Sequence, residues 1–118
     1  MEGDKAALRD GSVFEYCKLN DMVIQAWSVL QFGYFKGNFV GKEQFHNLNE
    51  VLNRLALKYG VSPSAIAIAW VLRYPAKMQA VVGTTNPKHL IEASQASNLT
   101  LTRKEWYEIY LAAGNDLP

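Results

Sequence analysis

A short stretch in the last third of the chain carries residue types that could hold a phosphate. Residues 80–94 read AVVGTTNPKHLIEAS: an apolar run ends at Gly83, three polar residues follow, and Pro87 begins an amphipathic segment. Glycine lets a backbone approach a ligand closely, and a helix N-terminus attracts anions through its free N–H groups and its dipole. The stretch predicts either a phosphate-binding turn or a plain helix cap at Asn86, and the residues alone leave both open.

Regular elements must position this turn. The apolar run predicts a strand from Met78 to Val82, and the segment after Pro87 predicts a helix to about Ala96. Earlier in the chain, SVFEYCKL predicts a helix over Ser12–Leu19, and VIQAW predicts a buried strand over Val23–Trp27. Residues 28–46 between them and the next helix are aromatic and glycine-rich without periodicity, which is typical of a functional or mobile loop.

Two helices are predicted between the strands. Asn47 is expected to cap the first, which carries an apolar stripe at helical spacing and ends at Gly60. Ser62 is expected to cap the second, with Pro63 in the first helical position and Pro75 beyond its end. This second helix is apolar on all sides, so we expect it to be buried.

The last segment predicts one more helix, with a capping box formed by Thr102 and Glu105 and an end at Gly114. Strands separated by helices predict parallel pairing through right-handed crossovers. Two parallel strands would leave both edges unpaired, so the pattern indicates part of a larger α/β fold.

Composition excludes several classes of protein. The chain has 118 residues and a net charge of +1, so we expect no strong attraction to nucleic acid or to an anionic membrane. The longest apolar run, Ala65–Leu72, is too short to span a bilayer, and residues 1–11 lack the apolar core of a signal peptide. The single cysteine, Cys17, favours a reducing, cytoplasmic setting. Cys17, His46 and His89 are too widely spaced to predict a metal site.

DNA binding is the rival interpretation of the helix pair, which has the helix–turn–helix order with Gly60 in the turn. A recognition helix presents polar and basic side chains to base edges. No polar residue lies between Ala65 and Leu72. The second helix is therefore predicted to be a core helix.

Three segments together resemble the aldo-keto reductase family. VVGTTNPKHLIEA is similar to the family's cofactor motif at the last barrel strand, AWSVLQFG resembles the preceding strand and loop, and LKYGVSPSAIAIAWVLRYP looks like the helix pair between them. The three occur in the family's order and at the family's spacing, and the resemblance covers nearly the whole chain. The resemblance implies one segment, residues 1–118, from the C-terminal part of a (β/α)8 TIM barrel. About two parallel strands and five or six helices would belong to this open segment.

The resemblance also implies an NADPH site. In the family, the aromatic residue at the position of Trp27 packs on the nicotinamide, and the loop beginning at Gly83 holds the adenosine 2′-phosphate. His89 stands where the family has Arg or Gln, and Ala93 replaces an Asn that contacts adenine, so the preference for NADPH over NADH stays open. The residues assigned to the cofactor in this way are Trp27, Ser28, Leu30, Gly83, Thr84, Thr85, Asn86, His89 and Glu92.

By resemblance, the complete protein would reduce a small-molecule aldehyde or ketone to an alcohol. The family's catalytic Asp, Tyr, Lys and His come from the first half of the barrel, and neither Tyr34 nor Lys36 aligns with them. We therefore expect the chain alone to be inactive, with no catalytic residue of its own. The alternative is a non-catalytic interaction or regulatory fragment that pairs with another chain, or with itself, through open strand edges and apolar faces.

Overall fold

The computed structural model describes residues 11–33 and 36–117, so the expectations for residues 1–10 and for Tyr34 lie outside the described residues. Two short 3-10 helices, Glu43–Phe45 and Gln95–Asn98, accompany the main elements. In chain order, these are α1 (Ser12–Leu19), β1 (Ile24–Trp27), α2 (His46–Tyr59), α3 (Pro63–Leu72), β2 (Met78–Val81), α4 (Pro87–Ser94) and α5 (Arg103–Ala112).

The two strands pair in parallel, as the sequence predicted, from Ile24 opposite Met78 to Trp27 opposite Val81. Residues along each strand alternate between half-buried and exposed. On the exposed face, the Gln25 Nε2 amide donates to Gln79 Oε1 across the pair at 3.1 Å. Helix α3 packs against β2, so one face of this open sheet is covered while the other is not.

Helix α3 is the centre of the core. Its N-terminus forms as predicted: the Ala65 amide donates to Ser62 Oγ at 3.1 Å, and Pro63 occupies the first turn. Five consecutive residues, Ala65–Ala69, are buried, because α3 packs against α2, α4 and β2. The expected burial of this helix is therefore confirmed for its central residues. The largest fully buried side chains are Leu52, Leu55, Ile66 and Leu101.

Helix α5 packs against α2 and completes the layer of helices. The predicted capping box is present, since the Glu105 amide donates to Thr102 Oγ1 at 3.2 Å and the Thr102 amide donates to Glu105 Oε2 at 2.8 Å. Trp70 and Trp106 stack with ring centroids 4.8 Å apart. Each indole N–H donates to the other residue's backbone carbonyl at 3.0 Å, which ties α3 to α5.

The predicted cap at Asn47 is wrong. Helix α2 begins at His46, Phe45 occupies the N-cap position, and no side chain caps the end. The 3-10 turn at Glu43–Phe45 leads straight into the helix, so the chain is already helical at Asn47. Other boundaries shift slightly: both strands are one residue shorter than predicted, and the helix after Pro87 tightens to 3-10 geometry from Gln95.

Within the described ranges, none of the helices is by itself long and apolar enough to cross a membrane. The segments Glu43–Tyr59 and Pro63–Leu72 reach the required length and composition only together, with a bend of 94° between them.

Candidate functional site

The C-terminal ends of both strands lie at the same end of the sheet, because Trp27 pairs with Val81. A cavity of about 480 Å³ opens there. In a parallel barrel this is the edge at which ligands bind. Seven of the nine residues assigned to the cofactor line this cavity, namely Trp27, Ser28, Leu30, Gly83, Thr84, His89 and Glu92.

Thr85 and Asn86 are exposed and lie outside the cavity lining. Asn86 caps α4, since its Oδ1 accepts from the Lys88 amide at 3.0 Å. The Asn86 amide in turn donates to Thr84 Oγ1 at 3.1 Å. The backbone N–H groups of Asn86 and Lys88, which could otherwise bind an anion, are therefore already bonded within the turn. The Thr84 hydroxyl still has its own proton to donate.

Trp27 stands at the mouth of the cavity with 72% of its surface exposed. The next residue, Ser28, has a φ of 55°, in the left-handed region that residues other than glycine seldom adopt. The Gln31 amide donates to the Ser28 carbonyl at 2.9 Å and closes the turn. This turn ends β1 abruptly and leaves the indole uncovered at the sheet edge.

Residues 28–46, predicted to be irregular, fold in part as a short hairpin. The Phe39 amide donates to the Leu30 carbonyl and the Phe32 amide to the Gly37 carbonyl, both at 3.0 Å. An antiparallel bridge joins Gln31 to Asn38. The hairpin thus brings Asn38 to the wall of the same cavity.

Asn49 on α2 holds this hairpin in place, and the sequence interpretation missed it. Its buried side-chain amide donates to the carbonyls of Phe39, Lys42 and Phe45 at 3.0 to 3.1 Å. Its Oδ1 accepts from the Gly41 amide at 2.8 Å. A signal existed: Asn49 lies three residues before Leu52 on the buried stripe of α2, where a polar side chain needs partners.

Ser64, in the first turn of α3, also lines the cavity and was not predicted. His89, in the first turn of α4, lines it as well, so the N-termini of α3 and α4 approach the same space. A second, more apolar cavity of about 280 Å³ shares Ser28 with the first and is lined by Phe32, Phe39 and Phe45. Trp27 borders both cavities.

The strongest electrostatic perturbation lies away from the cavity, between α2 and α5. Burial raises the pKa of Glu105, but hydrogen bonds from Lys58, the Thr102 backbone and Tyr59 outweigh it and lower the pKa to about 2. Lys58 Nζ lies 2.5 Å and Tyr59 Oη 2.8 Å from this carboxylate. The cluster joins two helices. Among residues 11–33 and 36–117, no group of three His, Cys, Asp or Glu side chains is placed to bind a metal.

Comparison with known proteins agrees with this geometry. The sequence profile of the Aldo/keto reductase family matches residues 7–112. The chain belongs to this family. Two solved aldo-keto reductases share its fold. A thermostable enzyme in complex with the inhibitor epalrestat has a TM-score of 0.65 and 21% identity, covering 91% of this chain and 34% of that one. An enzyme from a Medee basin deep-sea metagenome library has a TM-score of 0.60 and 20% identity, covering 87% and 35%.

Curated relatives include 6-dehydroglucose reductase of Agrobacterium fabrum, 38% identical over 94 residues. Oxidoreductase YdhF of Escherichia coli is 30% identical over 95 residues. These matches cover 78% and 79% of this chain, and 30% of each relative. The chain therefore spans about a third of the proteins it resembles, and its open two-stranded sheet is part of an aldo-keto reductase barrel.

Proposed function

We propose that this chain forms the NADPH-binding part of an aldo-keto reductase that reduces an aldehyde or ketone to an alcohol. The observation that carries the proposal is the cavity at the strand ends, where an exposed Trp27 lies beside Gly83, Thr84 and His89. Its volume of about 480 Å³ is within the range of small-molecule and cofactor sites. Family membership and relatives named as reductases support the same chemistry.

Each cavity residue has a role that its position can serve. The exposed indole of Trp27 offers a flat face on which a nicotinamide ring can stack. Gly83 and the Thr84 hydroxyl suit the adenosine 2′-phosphate, together with the positive end of the α4 dipole. Glu92, one turn further along α4, lies where adenine would follow. Asn86 supports the phosphate indirectly, because its cap fixes the first turn of α4.

NADPH, when bound, supplies the hydride, and this chain supplies no proton donor from the family's catalytic set. Carbonyl reduction needs an acid to protonate the developing alkoxide. We therefore expect the pure 118-residue chain to show no NADPH-dependent reduction of a reactive aldehyde. Steady turnover, proportional to the amount of this chain and absent from a mock purification, would contradict this.

His89 provides the test of the phosphate site. The A. fabrum reductase, with its matching segment replaced by this chain, gives a complete barrel for measuring NADPH and NADH affinity. Arg binds a phosphate through two charge-assisted hydrogen bonds from a planar guanidinium, which an imidazole cannot reproduce. His89→Arg should tighten NADPH by about 1–2 kcal/mol, roughly 5- to 30-fold. NADH, which lacks the phosphate, should change little.

The chain's other histidine is the matched control. His46 lies at the start of α2, near Glu43 and Glu50 and outside the cavity lining. His46→Arg should leave both affinities unchanged. If His89→Arg shifts NADH and NADPH equally, or neither, the turn is a plain helix cap and the phosphate assignment is wrong.

A further inference from the structure

The second cavity, of about 280 Å³, has no part in the proposed function. We call it the apolar cavity. The rings of Phe32, Phe39 and Phe45, from the hairpin and the 3-10 turn that follows it, form one wall. Helices α2, α3 and α5 supply the remaining walls, with Leu52 and Trp70 among their side chains. All of these elements belong to this chain, so the cavity is a feature of the chain itself.

The lining of the apolar cavity limits what it can bind. Of the described residues that line it, only Ser28 and Gln31 carry a hydroxyl or amide side chain, and both also line the cavity at the strand ends. The Phe32 and Phe45 rings meet edge-on with centroids 5.0 Å apart, an arrangement that a further aromatic ring can extend. A polyhydroxylated ligand would bury hydroxyl groups without partners there, which is unfavourable.

Hydrogen bonds keep the apolar cavity from collapsing. The Asn49 side-chain amide donates to the carbonyls of Phe39 and Phe45 at 3.0 and 3.1 Å, which ties the aromatic wall to α2. On the opposite wall, the Trp70 indole donates to the Trp106 carbonyl at 3.0 Å, which ties α3 to α5. A ligand would therefore enter a site that is already formed, and it would lose little free energy to ordering the protein.

An apolar cavity of about 150 Å³ is large enough to hold benzene. The apolar cavity is larger, so a ring with one or two small substituents fits it. We propose that it binds a monocyclic aromatic molecule that carries one hydrogen-bonding group. The ring lies against Phe32 and Phe45, and the polar group faces Ser28 and Gln31.

Such a ligand would act on the neighbouring cavity. Trp27, Ser28 and Val29 line both cavities, so a ring packed in one supports the turn that walls the other. Ser28 has a φ of 55°, a conformation that surrounding contacts must hold. The aromatic ligand should therefore favour cofactor binding. By linkage, the cofactor favours the aromatic ligand by the same factor. This coupling, unlike the aromatic site, rests on the proposed function.

The test uses p-cresol and the 118-residue chain. Calorimetry should show one site with a Kd of about 0.1–1 mM, ordinary for so small a ligand. Inositol, a ring of similar size that carries hydroxyl groups, should not bind. In the wild-type chain, p-cresol should shift the methyl resonances of Ala67 and Ala113, which line only the apolar cavity. The methyl of Ala93, which lines only the cavity at the strand ends, should stay unshifted.

Two neighbouring alanines provide matched variants. Ala113→Leu fills part of the apolar cavity and should weaken p-cresol binding about tenfold or more, since ligand and side chain compete for one space. Ala112→Leu is the control, because Ala112 is also half-buried but lies outside this lining. Equal weakening by both substitutions, equal binding of inositol, or shifts at Ala93 instead of Ala67 would overturn the proposal. Should Ala113→Leu fail to fold, the wild-type methyl shifts decide.

The coupling is measured in the A. fabrum reductase that carries this chain in place of its matching segment. Saturating p-cresol should raise NADPH affinity about fivefold, at the low end of measured couplings between sites. An unchanged NADPH affinity would overturn the coupling. Binding of p-cresol to a chimera that does not bind NADPH would refute the proposed function and leave the aromatic site standing.

Discussion

The helical layer and the two-stranded sheet of this chain differ sharply in burial. Leu52 and Leu55 of α2 have no exposed surface, and α3 is buried along five consecutive residues. On the sheet, Trp27 is 72% exposed, and Val81 opposite it is also exposed. The helices thus supply the buried core, while the cavity at the strand ends lies on the thinly covered sheet. Substitutions in the helical layer should therefore lower the unfolding free energy more than substitutions on the sheet.

The largest effect is expected from Leu55→Ala in the helical layer. Removing a fully buried leucine loses transfer free energy and leaves a cavity, which costs about 2–5 kcal/mol of unfolding free energy. Leu57→Ala, on the same helix but 86% exposed, should cost less than about 0.5 kcal/mol. Urea denaturation followed by circular dichroism measures both. Similar losses for the two variants would show that α2 is not packed as described.

Asn49→Ala should loosen the hairpin that carries one wall of the cavity. It removes one hydrogen bond from each of the carbonyls of Phe39, Lys42 and Phe45 and leaves the Gly41 amide without its acceptor, at a cost of about 1–3 kcal/mol. Hydrogen exchange at Gly41 and its neighbours should accelerate more than in the core of α3. Asn53→Ala, exposed on the same helix, serves as control. Unchanged exchange at Gly41 would mean that other contacts hold the hairpin.

Glu105→Gln should destabilise the junction between α2 and α5 by about 1–3 kcal/mol, because a neutral amide replaces a buried carboxylate that accepts from Lys58 and Tyr59. Glu108→Gln is the control on the same helix. Its ion pair with Arg54 is exposed to solvent and worth less than about 1 kcal/mol. If the two substitutions lower the unfolding free energy equally, the buried carboxylate of Glu105 stabilises the chain no more than the exposed pair of Glu108 with Arg54.

The same carboxylate predicts a pH dependence. The pKa of Glu105 is lowered from 4.5 to about 2 in the folded chain, so its contribution to stability is complete above pH 4.5. As the pH falls from there towards 2, the unfolded state takes up the proton first and the contribution is lost. Glu105→Gln should therefore flatten the stability curve between about pH 5 and pH 2. If the stability of the variant falls as steeply with pH as that of the wild type, Glu105 is not the source of the pH dependence.

The smallest effect is expected on the sheet. Trp27→Tyr keeps an aromatic strand former at an exposed position and should change stability by less than about 0.5 kcal/mol. Trp70→Tyr makes the same exchange inside the helical layer and breaks the reciprocal bonds with Trp106, so it should cost at least about 1 kcal/mol. If Trp27→Tyr and Trp70→Tyr lower the unfolding free energy equally, Trp27 is packed against other groups in solution and is not exposed.

Local signals in the sequence were sufficient for most elements. Ser62 with Pro63, and Thr102 with Glu105, mark helix starts because a side chain three residues away satisfies a free backbone N–H. The same rule failed at Asn47, where a preceding 3-10 turn had already started the helix. Asn49 shows the opposite failure, since its partners are backbone groups of a hairpin that no periodic pattern announces.

The sequence by itself determined the order of elements, the burial of α3 and the presence of two strands, because apolar spacing and caps act over a few residues. It also carried the family resemblance that the matched profile confirms. Only the tertiary structure decided that Trp27 stays uncovered and that Ser64 and Asn38 join the cavity. These outcomes depend on where distant segments pack, and no local pattern records the free energy of contacts between residues tens of positions apart.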